Sequence, residues 1–343
     1  MRNGGAVRGY FLTSSNRSTT ESMRWALALF AQIPRFLGLQ HTRLFGQARR
    51  VSARPSALVD PAWVLRRMPH VSILDASWYM PKLNRDPNTE FIDERIPEGA
   101  RRFDIDGPGL ADLNSDLPHM LPSPEDFTDA VTKLGIRRNV PVVIYAKKGF
   151  VGAARAWWMF RVFGKNDVFL LNGGLESWKA EGHEVATGPP APTMEPLIET
   201  ETPMVATKNE QLVKSMQDMH TLIKENSGVI IDARSKGRFE GTAPEPREGL
   251  MGGHMPGSFS QPCDQLTSAD GKLLSVSELR TVLAENGIDN SILTKSPIAL
   301  TCGSGVTAAI DCVALYELGF DAAVYDGSWS EYGSHHENPV NKK

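Results

Sequence analysis

The sequence predicts an α/β protein of two tandem domains, each a small parallel sheet with helices on both faces. Its 343 residues exceed one ordinary hydrophobic core. In both halves, apolar runs of strand length alternate with amphipathic helical segments. Short segments of the first half also recur in the second half, so we expect the chain to be an internal duplication.

The recurring segments are separated by 154–157 residues. The pairs are 72–77 with 229–234, 141–146 with 297–302 and, more loosely, 172–178 with 326–329. In this alignment the first copy has Ala146 where the second has Cys302. A thiol needed for packing could occur in both copies, whereas a thiol needed for chemistry is needed once. The duplication therefore favours catalysis in the second half and a supporting role for the first.

The amino-terminal segment differs in composition from the rest. Residues 1–54 contain nine arginines, no lysine and one acid, Glu21, a net charge of +8 that leaves −11 for the remainder. An arginine-rich, acid-poor leader with the apolar run 25–33 predicts an organelle transit peptide over residues 1–55, with mitochondria favoured over plastids. A secretory signal or a disordered extension of a cytoplasmic protein is the alternative. Arginines on both sides of the apolar run and the lack of a disulfide framework among three cysteines argue against export.

A proline-rich, acidic stretch predicts the boundary between the domains. We expect residues 187–205 to form an extended linker. It would join a non-catalytic domain at 56–186 to a catalytic domain at 206–336, followed by a tail at 337–343. No apolar stretch reaches the roughly 18 residues that a membrane span needs, and the negative charge of the remainder argues against nucleic acid as a ligand.

Residues 299–309 read as a buried strand that ends at Cys302 and continues through Gly303 and Gly305 into a helix. The free amides and the dipole of a first helical turn favour an anion. The glycines let successive amides point at one sulfur. Cys302 is therefore predicted to react as a thiolate, although a small buried core residue is the alternative. A cysteine phosphatase is excluded, because the arginine required six residues after the nucleophile is replaced by Ala308.

Further motifs follow in order between about residue 56 and residue 332. They are residues 75–81 (Asp-Ala-Ser-Trp-Tyr-Met-Pro), 118–122, 155–160, 241–247 and 302–307 (Cys-Gly-Ser-Gly-Val-Thr). Together they resemble the tandem-rhodanese family and, within it, the 3-mercaptopyruvate sulfurtransferases. The resemblance implies two rhodanese-like domains and sulfur transfer through a Cys302 persulfide, with no cofactor or metal.

The resemblance also implies the substrate site. Arg238 and Arg247 match positions that grip the carboxylate and keto oxygen of mercaptopyruvate, and a guanidinium can hold a carboxylate through two parallel hydrogen bonds. The loop residues expected to contact the donor are Gly303, Gly305, Val306 and Thr307. Because these loop positions carry no charge, whereas thiosulfate-specific members carry cationic residues there, 3-mercaptopyruvate is the favoured donor.

For proton handling, the resemblance implies a relay of Asp106, His119 and Ser304 that is similar to a serine-protease triad. Asp106 and His119 belong to the first half and Ser304 to the second, so the site would lie between the halves. A structural role for His119 in capping a loop is the alternative. Glu98 is an insertion relative to the family pattern, which we expect to alter the loop leading to Asp106.

Two other functions stay open from the sequence: a thiosulfate sulfurtransferase, and a non-catalytic rhodanese-like module that binds partners or carries sulfur. The expected acceptors are thiols, such as thioredoxin, glutathione or dihydrolipoate, or cyanide.

Overall fold

The computed structural model describes residues 54–97, 99–190 and 202–343. Within these residues the chain forms two five-stranded parallel sheets, one in the first half (residues 54–190) and one in the second half (residues 202–343). Their strand orders are β1-β5-β4-β2-β3 and β6-β10-β9-β7-β8. The predicted α/β class with tandem parallel sheets is confirmed, and the matching strand orders are the structural trace of the duplication. The predicted leader, most of the linker and Glu98 lie outside the described residues.

The first half alternates strands and helices. Its strands are β1 (Leu58–Val59), β2 (Ser72–Asp75), β3 (Arg101–Arg102), β4 (Val142–Tyr145) and β5 (Val168–Leu171). Its helices are α1 (Pro61–Leu65), α2 (Pro87–Asp93), α3 (Pro124–Lys133), α4 (Ala153–Val162) and α5 (Gly174–Ala180), with a short 3₁₀ helix at Pro81–Leu83. Proline in the first turn and a side-chain N-cap set the start of α1, α2 and α3.

The second half repeats this order. Its strands are β6 (Val213–Lys214), β7 (Val229–Asp232), β8 (Phe259–Ser260), β9 (Ile298–Thr301) and β10 (Ala323–Tyr325). Its helices are α6 (Met216–Glu225), α7 (Lys236–Glu240), α8 (Val276–Glu285), α9 (Asn290–Leu293), α10 (Ala308–Glu317) and α11 (Ser328–Tyr332), with 3₁₀ helices at Glu210–Leu212 and Cys263–Leu266. Capping boxes at Ser215 and Ser275 fix the starts of α6 and α8.

Both faces of each sheet are buried beneath helices. In the central strand β4, Val142 and Ile144 pack in one hydrophobic cluster with α3 and α4, while Val143 and Tyr145 pack in another with α1, α2 and α5. In the second half, Leu300 and Ala299 of β9 divide in the same way between clusters on opposite faces. Strands buried on both faces are typical of parallel sheets and explain the continuous apolar runs in the sequence.

The two halves share a core where α4 meets α10. A hydrophobic cluster there contains residues from both sheets, and it includes Trp157 and Cys312. The rings of Trp157 and Tyr316 meet edge to face with their centroids 5.3 Å apart, and the Arg161 guanidinium lies 4.5 Å from the Tyr316 ring centre. This contact packs α4 of the first half against α10 of the second half. Across the described ranges, no helix is long and apolar enough to cross a membrane.

Candidate active site

Cys302 follows β9 at the carboxyl end of a central strand, where loops of parallel sheets form binding sites. Cys302 is buried, with 2% of its surface exposed. Its amide donates to Ser328 Oγ at 3.2 Å and its carbonyl accepts from the Trp329 amide at 3.0 Å. The carbonyl of Gly303 accepts from the amide of Ser330 at 2.9 Å and from its hydroxyl at 2.7 Å. These bonds hold the cysteine loop against the start of α11.

The equivalent loop of the first half has the same backbone bonds without a thiol. The carbonyl of Ala146 accepts from the Leu175 amide at 2.9 Å, and the carbonyl of Lys147 accepts from the Glu176 amide at 3.1 Å. The repeat therefore preserves the loop architecture in both halves, whereas the nucleophile is present in the second.

The glycines of the cysteine loop are required by close contacts. Gly305 has φ +76°, and a Cβ there would lie 2.9 Å from both Arg155 Nη1 and the Asp326 carbonyl oxygen. A Cβ on Gly303 would lie 3.0 Å from Arg238 Nη2. The Arg238 guanidinium thus lies against the residue that follows Cys302, as expected for a substrate-binding group.

The two expected substrate arginines differ in their partners. Arg238 Nε and Nη2 donate to Glu245 Oε2 at 3.1 and 2.6 Å, and the Glu245 side chain is only 2% exposed. Glu245 also accepts from Arg234 Nη1 at 2.9 Å. Arg247 is half-buried and makes no hydrogen bond or ion pair with the part of the chain that the structure describes. Arg238 is therefore held in place by a carboxylate, whereas no carboxylate of the described residues pairs with Arg247.

The remaining loop residues take different positions. The Val306 side chain is 3% exposed and packs in the core, so this residue can meet a donor through its backbone. Thr307 is the N-cap residue of α10 without a side-chain capping bond.

The Asp106 and His119 side chains form the first link of the expected relay. His119 Nδ1 contacts Asp106 Oδ1 in a short hydrogen bond, and Trp78 Nε1 donates to Asp106 Oδ2 at 2.7 Å. The indole of Trp78 also meets the His119 ring edge to face at 5.1 Å. Burial raises the pKa of Asp106, but the hydrogen bond and charge interaction with His119, with help from Trp78 and Arg155, outweigh it and leave this pKa below its usual value. Asp106 is thus kept as a carboxylate that orients the imidazole.

The second link of the relay, a hydrogen bond between His119 and Ser304, is not formed in the structure. The Nε2 atom of His119 is buried and has no hydrogen-bond partner among the described residues. Ser304 is 8% exposed, and its hydroxyl likewise bonds to none of them. The backbone of His119 has φ +63°, a left-handed conformation that is uncommon for histidine. Although Glu98 lies outside the described residues, the Asp106–His119 contact that its insertion was expected to disturb is formed.

The family comparison matches both halves of the chain, although only the second half has a cysteine in the loop after its central strand. A family model described as "Rhodanese-like domain" matches residues 60–181 and 215–335. The chain belongs to the rhodanese family. The predicted resemblance is therefore confirmed.

Several relatives within the family are similar over most of their length. The chain is 42% identical over 267 residues to a probable 3-mercaptopyruvate sulfurtransferase of Schizosaccharomyces pombe, covering 76% of this chain and 86% of that one. It is 38% identical over 304 residues to thiosulfate/3-mercaptopyruvate sulfurtransferase 1, mitochondrial, of Arabidopsis thaliana, covering 84% and 78%. The crystal structure of SseA from Escherichia coli, from a study of 3-mercaptopyruvate sulfotransferases, matches with a TM-score of 0.69 and 33% identity over 81% of this chain and all 100% of that one.

Two further cysteines lie in the catalytic half of this rhodanese. Burial raises the pKa of the Cys312 thiol to about 12, and the thiol contacts the Ala322 carbonyl oxygen at 3.7 Å in the core. Burial, followed by the charges of Asp311 and Cys302, also raises the pKa of Cys263. Both thiols stay protonated near neutral pH, so neither competes with Cys302 as a nucleophile.

Sequence reasoning assigned no role to several residues that complete the site. Trp78 orients Asp106, and the ion pair of Arg155 with Asp326 lies between the halves. Glu245 holds Arg238. Each of these residues lies inside a segment that carried the resemblance or the repeat, so the motifs themselves were the signal. Asp311 had no such signal: it is buried in α10, and both of its carboxylate oxygens lack partners among the described residues. No cluster of three or more metal-binding side chains occurs in the described ranges.

Proposed function

We propose that this protein is a sulfurtransferase that takes sulfur from 3-mercaptopyruvate onto Cys302 and passes it to an acceptor thiol or to cyanide, releasing pyruvate. The observation that carries this proposal is the position of Cys302 at the end of β9, with the guanidinium of Arg238 against the adjacent Gly303. The names of the relatives support both the reaction class and this donor.

In the first half-reaction, the Cys302 thiolate attacks the sulfur of 3-mercaptopyruvate. An S–S bond forms and the C–S bond breaks, so the electron pair of the C–S bond goes to the carbon as the enolate of pyruvate. One proton must reach that carbon to give pyruvate. The transferred sulfur stays on Cys302 as the outer sulfur of a persulfide. The reaction is therefore covalent catalysis in two half-reactions.

The surrounding side chains suit these demands. We propose that Arg247, which has no partner among the described residues, binds the donor carboxylate, and that Arg238, whose guanidinium lies against Gly303, binds near the reacting sulfur. The side chain of His119, oriented by Asp106, is the proposed proton donor through Nε2, and Ser304 would complete the relay once the donor is bound.

In the second half-reaction, an acceptor thiolate attacks the outer sulfur and restores the Cys302 thiolate. Small thiols such as glutathione or dihydrolipoate, a thioredoxin-like protein and cyanide fit this step equally well. The sulfur moves as a zero-valent atom: the leaving carbon keeps the electron pair of the broken C–S bond, and the attacking thiolate supplies the pair of the new S–S bond. The two half-reactions therefore balance without an added oxidant or reductant.

Thiosulfate is the second candidate donor. Attack of Cys302 on its outer sulfur would release sulfite and form the same persulfide. Two features favour it: Arg238 brings a positive charge to a loop that has none of its own, and the Arabidopsis relative is named for both donors. The non-enzymatic alternative is a rhodanese-like module that carries sulfur without turnover.

We propose further that residues 1–55 direct the protein to mitochondria, supported by the arginine-rich composition and by the mitochondrial name of the Arabidopsis relative. The proposed domains are residues 56–186 and 206–336, joined by the linker at 187–205.

The test is sulfur transfer from 3-mercaptopyruvate and, separately, from thiosulfate to cyanide and to dithiothreitol. The wild type is compared with Cys302→Ser and with Cys263→Ser as the matched control, because both substitutions replace a thiol in the same half. We expect pyruvate release with mercaptopyruvate preferred, abolished by Cys302→Ser and retained in Cys263→Ser. Preference for thiosulfate would keep the mechanism and replace the donor. Lack of turnover with both donors would support the non-catalytic module.

A further inference from the structure

A buried ion pair links the two halves beside the candidate active site. Arg155 on α4 of the first half donates from Nη2 to Oδ1 of Asp326, at the end of β10 in the second half, over 2.7 Å. The side chains are 1% and 7% exposed. A buried ion pair is weak evidence for stability, because the desolvation of both charges offsets their attraction. Stability alone therefore does not account for this buried pair.

Its other bonds all end on the two loops that form the site. Arg155 Nη2 also donates to the carbonyl oxygen of His119, and Nη1 donates to the carbonyl oxygen of Gly305 at 3.3 Å. The second carboxylate oxygen of Asp326 accepts from the amide of Leu121 at 2.8 Å. The pair thus binds the chain at the His119 carbonyl and at the amide two residues later, and also at the glycine three residues beyond Cys302.

The conformation of His119 explains why such a grip is needed. Its φ of +63° is unfavourable for a residue with a side chain, and persists where the surroundings impose it. Arg155 and Asp326 hold the chain that follows this backbone conformation, through the His119 carbonyl and the Leu121 amide. The imidazole meanwhile contacts Asp106 and Trp78, and its Nε2 is buried with no partner among the described residues. Lysine at position 155 could not reach all three acceptors, since it lacks the planar fork of arginine.

We infer that Arg155 and Asp326 are positioning residues that hold His119 of the first half over the Cys302 loop of the second half, so that their role is specific to donors whose leaving carbon must be protonated. This inference rests on the proposed function. 3-Mercaptopyruvate needs a proton on carbon, whereas thiosulfate releases sulfite, which needs none. The intrinsic reactivity of the Cys302 thiolate does not require His119.

The test compares wild type, Arg155→Lys, Asp326→Asn and a control, Arg161→Lys. Arg161 lies on the same helix and at the same interface of the halves, against Trp157 and Tyr316, and does not contact the site loops. Three rates are measured on the full chain: single-turnover pyruvate release, single-turnover sulfite release from thiosulfate, and alkylation of Cys302 by iodoacetamide. Asp326→Asn retains the shape of the side chain and gives an independent test if Arg155→Lys does not fold.

We expect Arg155→Lys and Asp326→Asn to slow pyruvate release by about 100-fold, within the range of general acid catalysis, while sulfite release and alkylation change little and the control resembles wild type. Equal losses in all three rates would overturn the inference, because they would indicate a general distortion of the loop. Unchanged pyruvate release would overturn it as well. Absence of pyruvate release from wild type would instead refute the proposed donor, and with it this inference, before any variant is compared.

Discussion

The guanidinium of Arg238 lies against Gly303, so closely that a Cβ on this glycine would be 3.0 Å from Nη2. The backbone of Gly303 is outside the left-handed region, so alanine fits its conformation. The lack of a side chain at Gly303 therefore lets the Arg238 guanidinium lie close to the backbone beside Cys302.

Gly303→Ala is expected to displace the Arg238 side chain while leaving the fold intact. Loss of a charge-assisted contact of about 1.5 kcal/mol would raise KM for mercaptopyruvate roughly tenfold with a similar melting temperature. Gly305→Ala is the comparison: its Cβ would meet the backbone oxygen of Asp326 at 2.9 Å with φ +76°, so both stability and activity should fall. Steady-state kinetics and thermal unfolding measure both. An unchanged KM in Gly303→Ala would contradict the proposed contact of Arg238 with the donor.

Glu245 neutralises part of the positive charge at the site. Glu245→Gln removes a buried carboxylate that accepts from Arg234 and Arg238, so we expect a loss of about 3 kcal/mol in the free energy of unfolding. The freed positive charge should favour a dianion, so the ratio of kcat/KM for thiosulfate to that for mercaptopyruvate should rise. Glu248→Gln, at an exposed position nearby, is the control. A falling ratio would show that Glu245 does not tune the charge seen by the donor.

Trp78→Phe removes the indole donor to Asp106 and retains most of the ring. Since that bond stabilises the carboxylate, the pKa of Asp106 should rise, and the acidic limb of kcat/KM for mercaptopyruvate should move to higher pH. The loss at the pH optimum should be less than about tenfold, as expected for one hydrogen bond to a partly exposed charge. Trp63→Phe is the matched control, because Trp63 packs against the hydrophobic cluster beneath α1, α2 and α5. A superimposable pH profile would exclude this role for Trp78.

Asp311 should make stability depend on pH. Burial, then the charges of Cys302, Asp232 and Asp264, raises its pKa well above the usual value. Above about pH 4 the unfolded chain loses this proton while the folded chain keeps it. The contribution of this residue to folding therefore becomes less favourable as pH rises toward the folded pKa, by at most about 1.4 kcal/mol per pH unit.

Asp311→Asn removes this dependence. The free energy of unfolding of the variant, minus that of wild type, should increase from pH 4.5 to pH 7.5. Both pH values lie above the ordinary carboxyl pKa of about 4. Urea unfolding at the two pH values measures the difference, with Asp270→Asn at an exposed ion pair as the control. A difference that is independent of pH would mean that Asp311 is ionised in the folded protein.

Much of the site was predictable because the chemistry is encoded locally. The strand, the glycine loop and the helix around Cys302 are consecutive, so their order alone indicated the anion-binding geometry. Asp106 and His119 were predicted through the resemblance, and the structure brings them together. The hydrogen bond expected between His119 and Ser304 is not formed, because it depends on the distance between two loops from different halves.

The amino-acid sequence by itself determined the class of fold, the duplication and the presence of a nucleophile in the second copy, since strand and helix periodicity, repeated segments and one thiol are properties of neighbouring residues. The tertiary structure decided what surrounds that nucleophile. Arg155 and Asp326 are 171 residues apart and Trp78 and Asp106 are 28 apart, yet each pair shares a hydrogen bond. The first pair depends on the packing of α4 against α10, and the second depends on packing within the first half. No local pattern in the chain specifies either packing.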